Sequence, residues 1–261
     1  MHDLVIRNGT VVDGTGAPSF GGDLAIDGRH IAAVGRVEAS GRRDLDAGGA
    51  IVAPGWVDIH THYDGQVSWD PVVAPSAEHG VTTVVMGNCG VGFAPVRPDG
   101  HDFLIELMEG VEDIPGTALH EGIDWGWESF GEYLDALERA GRTIDVAGQV
   151  PHAAVRAYVM GERAHEEPGA TEIAEIAGVV ADGIRQGAVG FSTSRTILHR
   201  SRHGLVPGTT AAPAELIAIA EAMAATGRGI FQFVSDHQGG GDDQAWMAEI
   251  AERTGVAITY S

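Results

Sequence analysis

The chain has 261 residues, enough for one sizeable core or for a main domain with a small satellite. Its 37 acidic and 16 basic side chains leave a net charge of −21. Without a Lys/Arg cluster to displace counterions, this excludes a nucleic-acid partner, and an acidic membrane surface would repel such a chain. A single cysteine, Cys89, excludes an intrachain disulfide and points to the cytoplasm. Met1 to Leu4 lack the basic start and apolar core of a signal peptide. No apolar run reaches the roughly 18 residues of a membrane span.

Residues 4–52 read as short strands joined by turns. Leu4 to Arg7 is apolar and extended, Asn8-Gly9 is a turn signal, and Thr10 to Asp13 resumes the strand. Leu24 to Ile26 and His30 to Val34 flank Asp27-Gly28 as a second pair. Residues 1–53 are thus expected to form a small β-sandwich-like subdomain.

After Pro54-Gly55 the pattern changes to apolar runs alternating with amphipathic helices. Strands are expected at Trp56 to Ile59, Val81 to Met86, Ile144 to Val150, Ala188 to Ser192, Ile230 to Val234 and Val256 to Tyr260. Helices are expected at Phe130 to Ala140, Thr171 to Gln186, Pro213 to Ala225 and Asp242 to Arg253, with Thr171 and Asp242 as caps. Residues 87–127 read as the longest irregular stretch. Repeated β-α units imply a parallel sheet, and continuous apolar strands imply burial on both faces. A complete eight-stranded barrel takes about 250 residues, and about 210 remain after the β unit. Residues 54–261 are therefore expected to be an incomplete α/β barrel of six strands. Its open edges would favour a homo-oligomer.

The strongest chemical signal is Gly55-Trp56-Val57-Asp58-Ile59-His60-Thr61-His62. Residues i and i+2 of a strand face the same way. His60 and His62 would aim together from the C-terminal end of the first barrel strand, where barrel enzymes place their sites, and could chelate one Zn²⁺. The alternative for any His-x-His is a pair of surface histidines.

The segment from Val52 to Asp64 resembles the opening of the amidohydrolase superfamily. Gly87-Asn88-Cys89-Gly90-Val91-Gly92-Phe93-Ala94-Pro95 and Val189 to Ser194 resemble its D-aminoacylase (N-acyl-D-amino-acid deacylase) branch. The resemblance implies a (β/α)₈ TIM-type barrel beside a small β domain, one or two zinc ions, and hydrolysis of an N-acyl bond on a D-amino acid. It makes Cys89 a zinc ligand, although a lone cysteine by itself reads as a small buried hydrophobe. The branch also places a zinc-binding histidine on each of strands five and six. Here those positions hold Val234 and Tyr260 or Ser261. Asp236 or His237, just past strand five, could replace a ligand, or could be a solvated loop pair. The proton-shuttling aspartate of the branch lies on strand eight, beyond residue 261.

Weaker candidates line the same rim. His152 and Arg156 could hold a substrate carboxylate, with a capping or surface role as the alternative. Tyr63, Asp64 and Ser194 could shape the pocket, and His199, Arg200, Arg202 and His203 could bind an anionic group or form an ordinary basic loop. The expected activity is zinc-dependent hydrolysis of a non-peptide C–N amide bond in a small N-acyl amino-acid-like molecule. A cyclic amide is the other substrate class, and an inactive metal-binding fragment is the reading from a different class.

Overall fold

The computed structural model describes residues 1–236 and 243–261. They form two units, Met1–Trp56 and Val57–Ser261.

The first unit is a single five-stranded sheet, where a sandwich-like arrangement was expected. Its strands are β1 (His2–Val11), β2 (Phe20–Asp27), β3 (His30–Gly35), β4 (Gly41–Asp46) and β5 (Ile51–Val52), in the order β3-β2-β1-β4 with β5 also on β1. The pairs β1–β2 and β2–β3 are antiparallel, and β4 and β5 run parallel to β1. Asn8-Gly9 is a bulge within β1 and does not end it. Asn8 takes φ 54°, and its backbone N–H and side-chain amide donate to Asp23 and Asp46. These partners hold the left-handed kink that a turn reading mistakes for a strand end. Val5, Ala25 and Val37 make the small core. The Arg7 guanidinium ties the sheet to Asp44, 3.0 Å away, and to the carbonyl of Ala39.

The second unit carries six strands in chain order: β6 (Trp56–Asp58), β7 (Val81–Met86), β8 (Asp145–Pro151), β9 (Gly190–Ser194), β12 (Ile230–Val234) and β13 (Ala257–Tyr260). Every register from β7 to β13 is parallel. Parallel neighbours need crossovers, supplied by α1 (His101–Glu112), α2 (Gly116–Gly122), α3 (Phe130–Ala140), α4 (His152–Met160), α5 (Ala170–Gln186), α6 (Pro213–Ala224) and α7 (Asp243–Thr254). A two-residue ladder, β10 (Arg200–Ser201) with β11 (Gly204–Leu205), lies between β9 and α6. Six parallel strands in sequential order, alternating with helices, are the layout of a (β/α) barrel that here remains incomplete.

The core follows from the strands' apolar faces. Phe191 of β9 meets Phe231 of β12 edge-on at 5.0 Å, and Phe233 meets Trp246 of α7 at 5.2 Å. Ile176, Val180 and Ile184 of α5 are fully buried at helical spacing. Burial on both faces holds for the central strands alone. Trp56, Val57 and Ile59 are exposed, as are Ile230 and Tyr260.

The local structure departs from the sequence pattern at several points. Residues 87–127 contain α1 and α2, with Leu104, Ile105, Leu107 and Met108 buried on α1. Gly100 caps α1 without a side chain, and Gly110 interrupts its propensity, so the sequence signals were weak. Gly110 is there because a Cβ would stand 2.6 Å from the Arg200 carbonyl. Helix α4 follows β8 without a loop, and so without punctuation. The cap of α5 is Gly169, two residues before Thr171, with Glu172 accepting from its N–H at 2.8 Å. Asp242 lies outside the described residues. Ser129 caps α3 in a reciprocal box with Glu132.

Candidate metal centre

Strand β6 stops at Asp58, so His60 and His62 stand just past it. The Asp58 carboxylate accepts from the His60 N–H at 3.2 Å, and Thr61 N–H donates to the Val85 carbonyl at 3.0 Å. These bonds hold the segment against the end of β7. The two imidazoles meet edge-on, with centroids 5.5 Å apart.

Cys89 arrives from the end of β7 on an unusual backbone. Gly87, Cys89 and Gly90 all have positive φ, at 75°, 57° and 74°. A Cβ on Gly87 would stand 2.2 Å from the Gln149 carbonyl, so that position demands glycine. Cysteine in the left-handed region is costly, and its surroundings must enforce it. Gln149 of β8, Ser192 of β9 and Gln232 of β12 do so. Gln149 donates to the Asn88 side-chain oxygen at 2.7 Å, Gly90 N–H donates to Ser192 Oγ at 3.0 Å, and Cys89 N–H donates to Gln232 Oε1 at 3.2 Å. Three consecutive strands thus clamp one turn.

The result is three donor atoms in one place. Cys89 Sγ is 3.2 Å from His60 Nε2 and 3.4 Å from His62 Nε2. One ligand atom from each residue lies within 4.8 Å of the others. With bond lengths of about 2.0–2.3 Å, nitrogen and sulfur on one tetrahedral zinc stand about 3.6 Å apart. The observed spacings are close to that, so these residues could hold such an ion.

The electrostatics favour a cation. Burial, with a contribution from His60 and His199, drives His62 down to about 3, so its ring is neutral and offers a lone pair. Burial also lowers His60. Burial pushes the Cys89 thiol up, and the nearby carboxylates of Glu112 and Asp64 push it further. Burial raises Asp64 to about 7 and also raises Glu112. Acidic groups that resist ionising together are relieved by a dication among them.

The other candidates separate into two groups. Half-buried Tyr63 bonds Ser76 through its hydroxyl at 2.9 Å. Buried Ser194 bonds His199 Nδ1 at 2.9 Å, and the charge of His199 adds a small part to the lowering of His62. Arg202 and His203 turn instead to Glu106 on α1. His152 and Arg156 are buried and committed to Glu215 of α6, at 3.0 and 3.5 Å, and His152 also meets Thr193 at 2.8 Å. Burial holds His152 below its ordinary value. Asp236 is half-buried past β12 and is not one of the three clustered donors. His237 lies outside the described residues. Glu112, the last residue of α1, was not anticipated, and its Oε1 lies 3.2 Å from His62 Nε2.

Known proteins resemble this chain over most of its length. N-acyl-D-glutamate deacylase of Alcaligenes xylosoxydans xylosoxydans is 37% identical over 226 residues, covering 86% of this chain and 42% of that protein. A crystal structure of D-aminoacylase superposes with TM-score 0.80 at 30% identity, over all of this chain and 51% of its own. N-acyl-D-glutamate deacylase from Bordetella bronchiseptica, solved with zinc and a phosphonate mimic of its tetrahedral intermediate, superposes with TM-score 0.75 at 30% identity, over 98% and 50%. The chain therefore spans about half the length of these relatives or less. The amidohydrolase family profile matches residues 44–260, and the chain belongs to that family.

Proposed function

We propose that this chain carries part of the active centre of a zinc-dependent hydrolase that cleaves a non-peptide C–N amide bond, with an N-acyl-D-amino acid as substrate. The observation that carries the reading is the convergence of His60, His62 and Cys89 at a strand end. Two neutral imidazoles and a thiol are a donor set that zinc accepts. When bound, the ion polarises a carbonyl and supplies a nucleophile at neutral pH. The chain's own residues do the rest. The Gly87–Gly90 turn holds the thiol in place, and Asp58 fixes the entry to His60. Ser194 with His199, and Tyr63 next to His62 in the chain, are the groups assigned to substrate.

His152 and Arg156 act differently in this reading. They are spent on Glu215, and so brace the strand ends that carry Thr193 and Ser194. Asp236 and His237 remain candidates for further ligands past β12. The aspartate that moves a proton to the leaving amine belongs to a strand beyond these six. No helix among the described residues is long and apolar enough to cross a membrane. A lone thiol used as a ligand suits a reducing compartment, so we place the protein in the cytoplasm.

The test is elemental analysis of the purified chain beside His60→Ala and Cys89→Ala. Stoichiometric zinc that falls in both variants is expected. Zinc that persists in both would sink the assignment. With the centre established, N-acyl-D-amino acids are assayed against their L forms and against cyclic amides. Turnover of cyclic amides alone would replace the substrate class.

A further inference from the structure

Glu112 stands beside the three clustered donors without being one of them. Helix α1 brings it there: it is the last helical residue, and Asp113 follows in the left-handed region at φ 54°. Its Oε1 is 3.2 Å from His62 Nε2, the nitrogen that also faces Cys89 Sγ. The other ring nitrogen, Nδ1, is buried and makes no hydrogen bond to the described residues. A neutral imidazole carries one N–H. With the proton on Nε2, the ring donates to Glu112 and leaves a bare lone pair at Nδ1. Once an ion takes the Nε2 lone pair, the proton must sit on Nδ1. Glu112 then loses its donor while a cation stands next to it.

Distance and charge decide where the carboxylate goes. Nitrogen and oxygen on one tetrahedral zinc stand about 3.4 Å apart, given bonds of about 2.0–2.2 Å. The His62–Glu112 contact already has that length. Charge points the same way: a thiolate and a carboxylate together neutralise a dication, which the covered side of the site, formed by buried Cys89 and half-buried His62, favours over a residual charge. Both side chains at this contact are mostly covered, at 15% and 22% exposure.

We propose that Glu112 supplies an oxygen donor to the ion held by His60, His62 and Cys89. The inference rests on the metal centre proposed above. It gives α1, a helix inserted between β7 and β8, a direct part in metal binding.

Cobalt titration of the purified chain tests it, because sulfur-to-cobalt charge transfer reports Cys89 while the d–d bands report the whole ligand set. The parent chain is expected to bind one Co²⁺ with a charge-transfer band. Glu112→Gln is isosteric and can still accept from His62, so a residue that merely orients the ring would tolerate it. As a ligand it should not: affinity should fall by more than about 100-fold, beyond the roughly 10- to 100-fold that losing a group which only orients a ligand costs. The charge-transfer band should persist and the d–d bands should shift. Glu112→His, which offers a new donor, should recover most of the affinity and so gives a reading even if Glu112→Gln folds poorly. Wild-type affinity and unchanged d–d bands in Glu112→Gln would overturn the Glu112 assignment alone. Failure of Glu112→His to recover affinity would do the same. Absence of charge transfer in the parent chain would overturn the metal centre together with it.

Discussion

Replacing Glu215 with alanine removes the carboxylate that faces both His152 Nε2 and the Arg156 guanidinium. All three side chains are almost completely buried, at 0%, 0% and 3% exposure. Arg156 would keep its contact with the Glu166 carbonyl but would lose its counter-charge in the interior. Breaking a buried pair by deleting one partner costs about 3–5 kcal/mol, against a total stability of about 5–15 kcal/mol. With a urea m-value near the top of the usual range, about 3 kcal/mol/M, the midpoint should fall by roughly 1–1.7 M. Urea unfolding followed by circular dichroism measures it. Glu215→Gln should cost less, because its amide oxygen can still accept from His152. The double variant Arg156→Met with Glu215→Leu should cost less than Glu215→Ala alone, since no charge is then stranded. A midpoint shift worth less than about 1 kcal/mol, or a double variant no better than the single, would refute the view that the charge pair dominates this network.

Two further outcomes follow from the same structure. Gly87→Ala should lower the melting temperature and abolish the cobalt–thiolate band, since its Cβ would meet the Gln149 carbonyl at 2.2 Å and displace the turn that carries Cys89. Gly178→Ala, on α5 with open space around it, should instead be neutral or stabilising by about 0.5–1 kcal/mol; equal losses in the two variants would contradict the steric argument. The pH dependence has a definite sign. His152 is held below its ordinary value of 6.5 by burial, so its contribution is present above about pH 6.5 and is lost as pH falls below it, by up to about 1.4 kcal/mol per pH unit. The midpoint difference between parent and His152→Gln should therefore shrink from pH 7.5 to pH 5.5, and a difference that grows on acidification would reverse the assignment.

Much of the barrel was legible because its signals are local. The runs at Val81 to Met86 and Ile230 to Val234 are dense in β-branched or aromatic residues, and both strands fall where the sequence puts them. Helix α3 carries its own cap in Ser129 and Glu132. The misses share a cause. Helices α1 and α4 begin at Gly100 and Pro151 without side-chain caps, so nothing in the sequence punctuates them. The exposed faces of β6 and β13 were misread because apolar strands were assumed to have neighbours on both sides.

The centre itself was half legible, and the division follows sequence separation. His60 and His62 are two apart, and a two-residue spacing could be read for convergence. The strand reason given for it was incomplete, however, since β6 ends at Asp58 and the rings meet on the segment beyond. What fixes Cys89 comes from residues as distant as Gln149, Ser192 and Gln232, each an ordinary polar residue inside an apolar strand. Polar side chains in the strands of a buried sheet are costly unless they are satisfied. Ser192 is satisfied by the turn it holds, and Gln149 and Gln232 each commit one amide atom to it and leave the other, Gln149 Oε1 and Gln232 Nε2, buried without a hydrogen-bond partner among the described residues, at the strand ends where a barrel gathers its site. Three such residues on consecutive strands therefore mark, in the sequence itself, a backbone segment that must be held at the mouth of the barrel. Glu112 had no comparable mark. It reaches His62 across 50 residues by way of a helix whose start is uncapped, and only the fold brings the two side chains together.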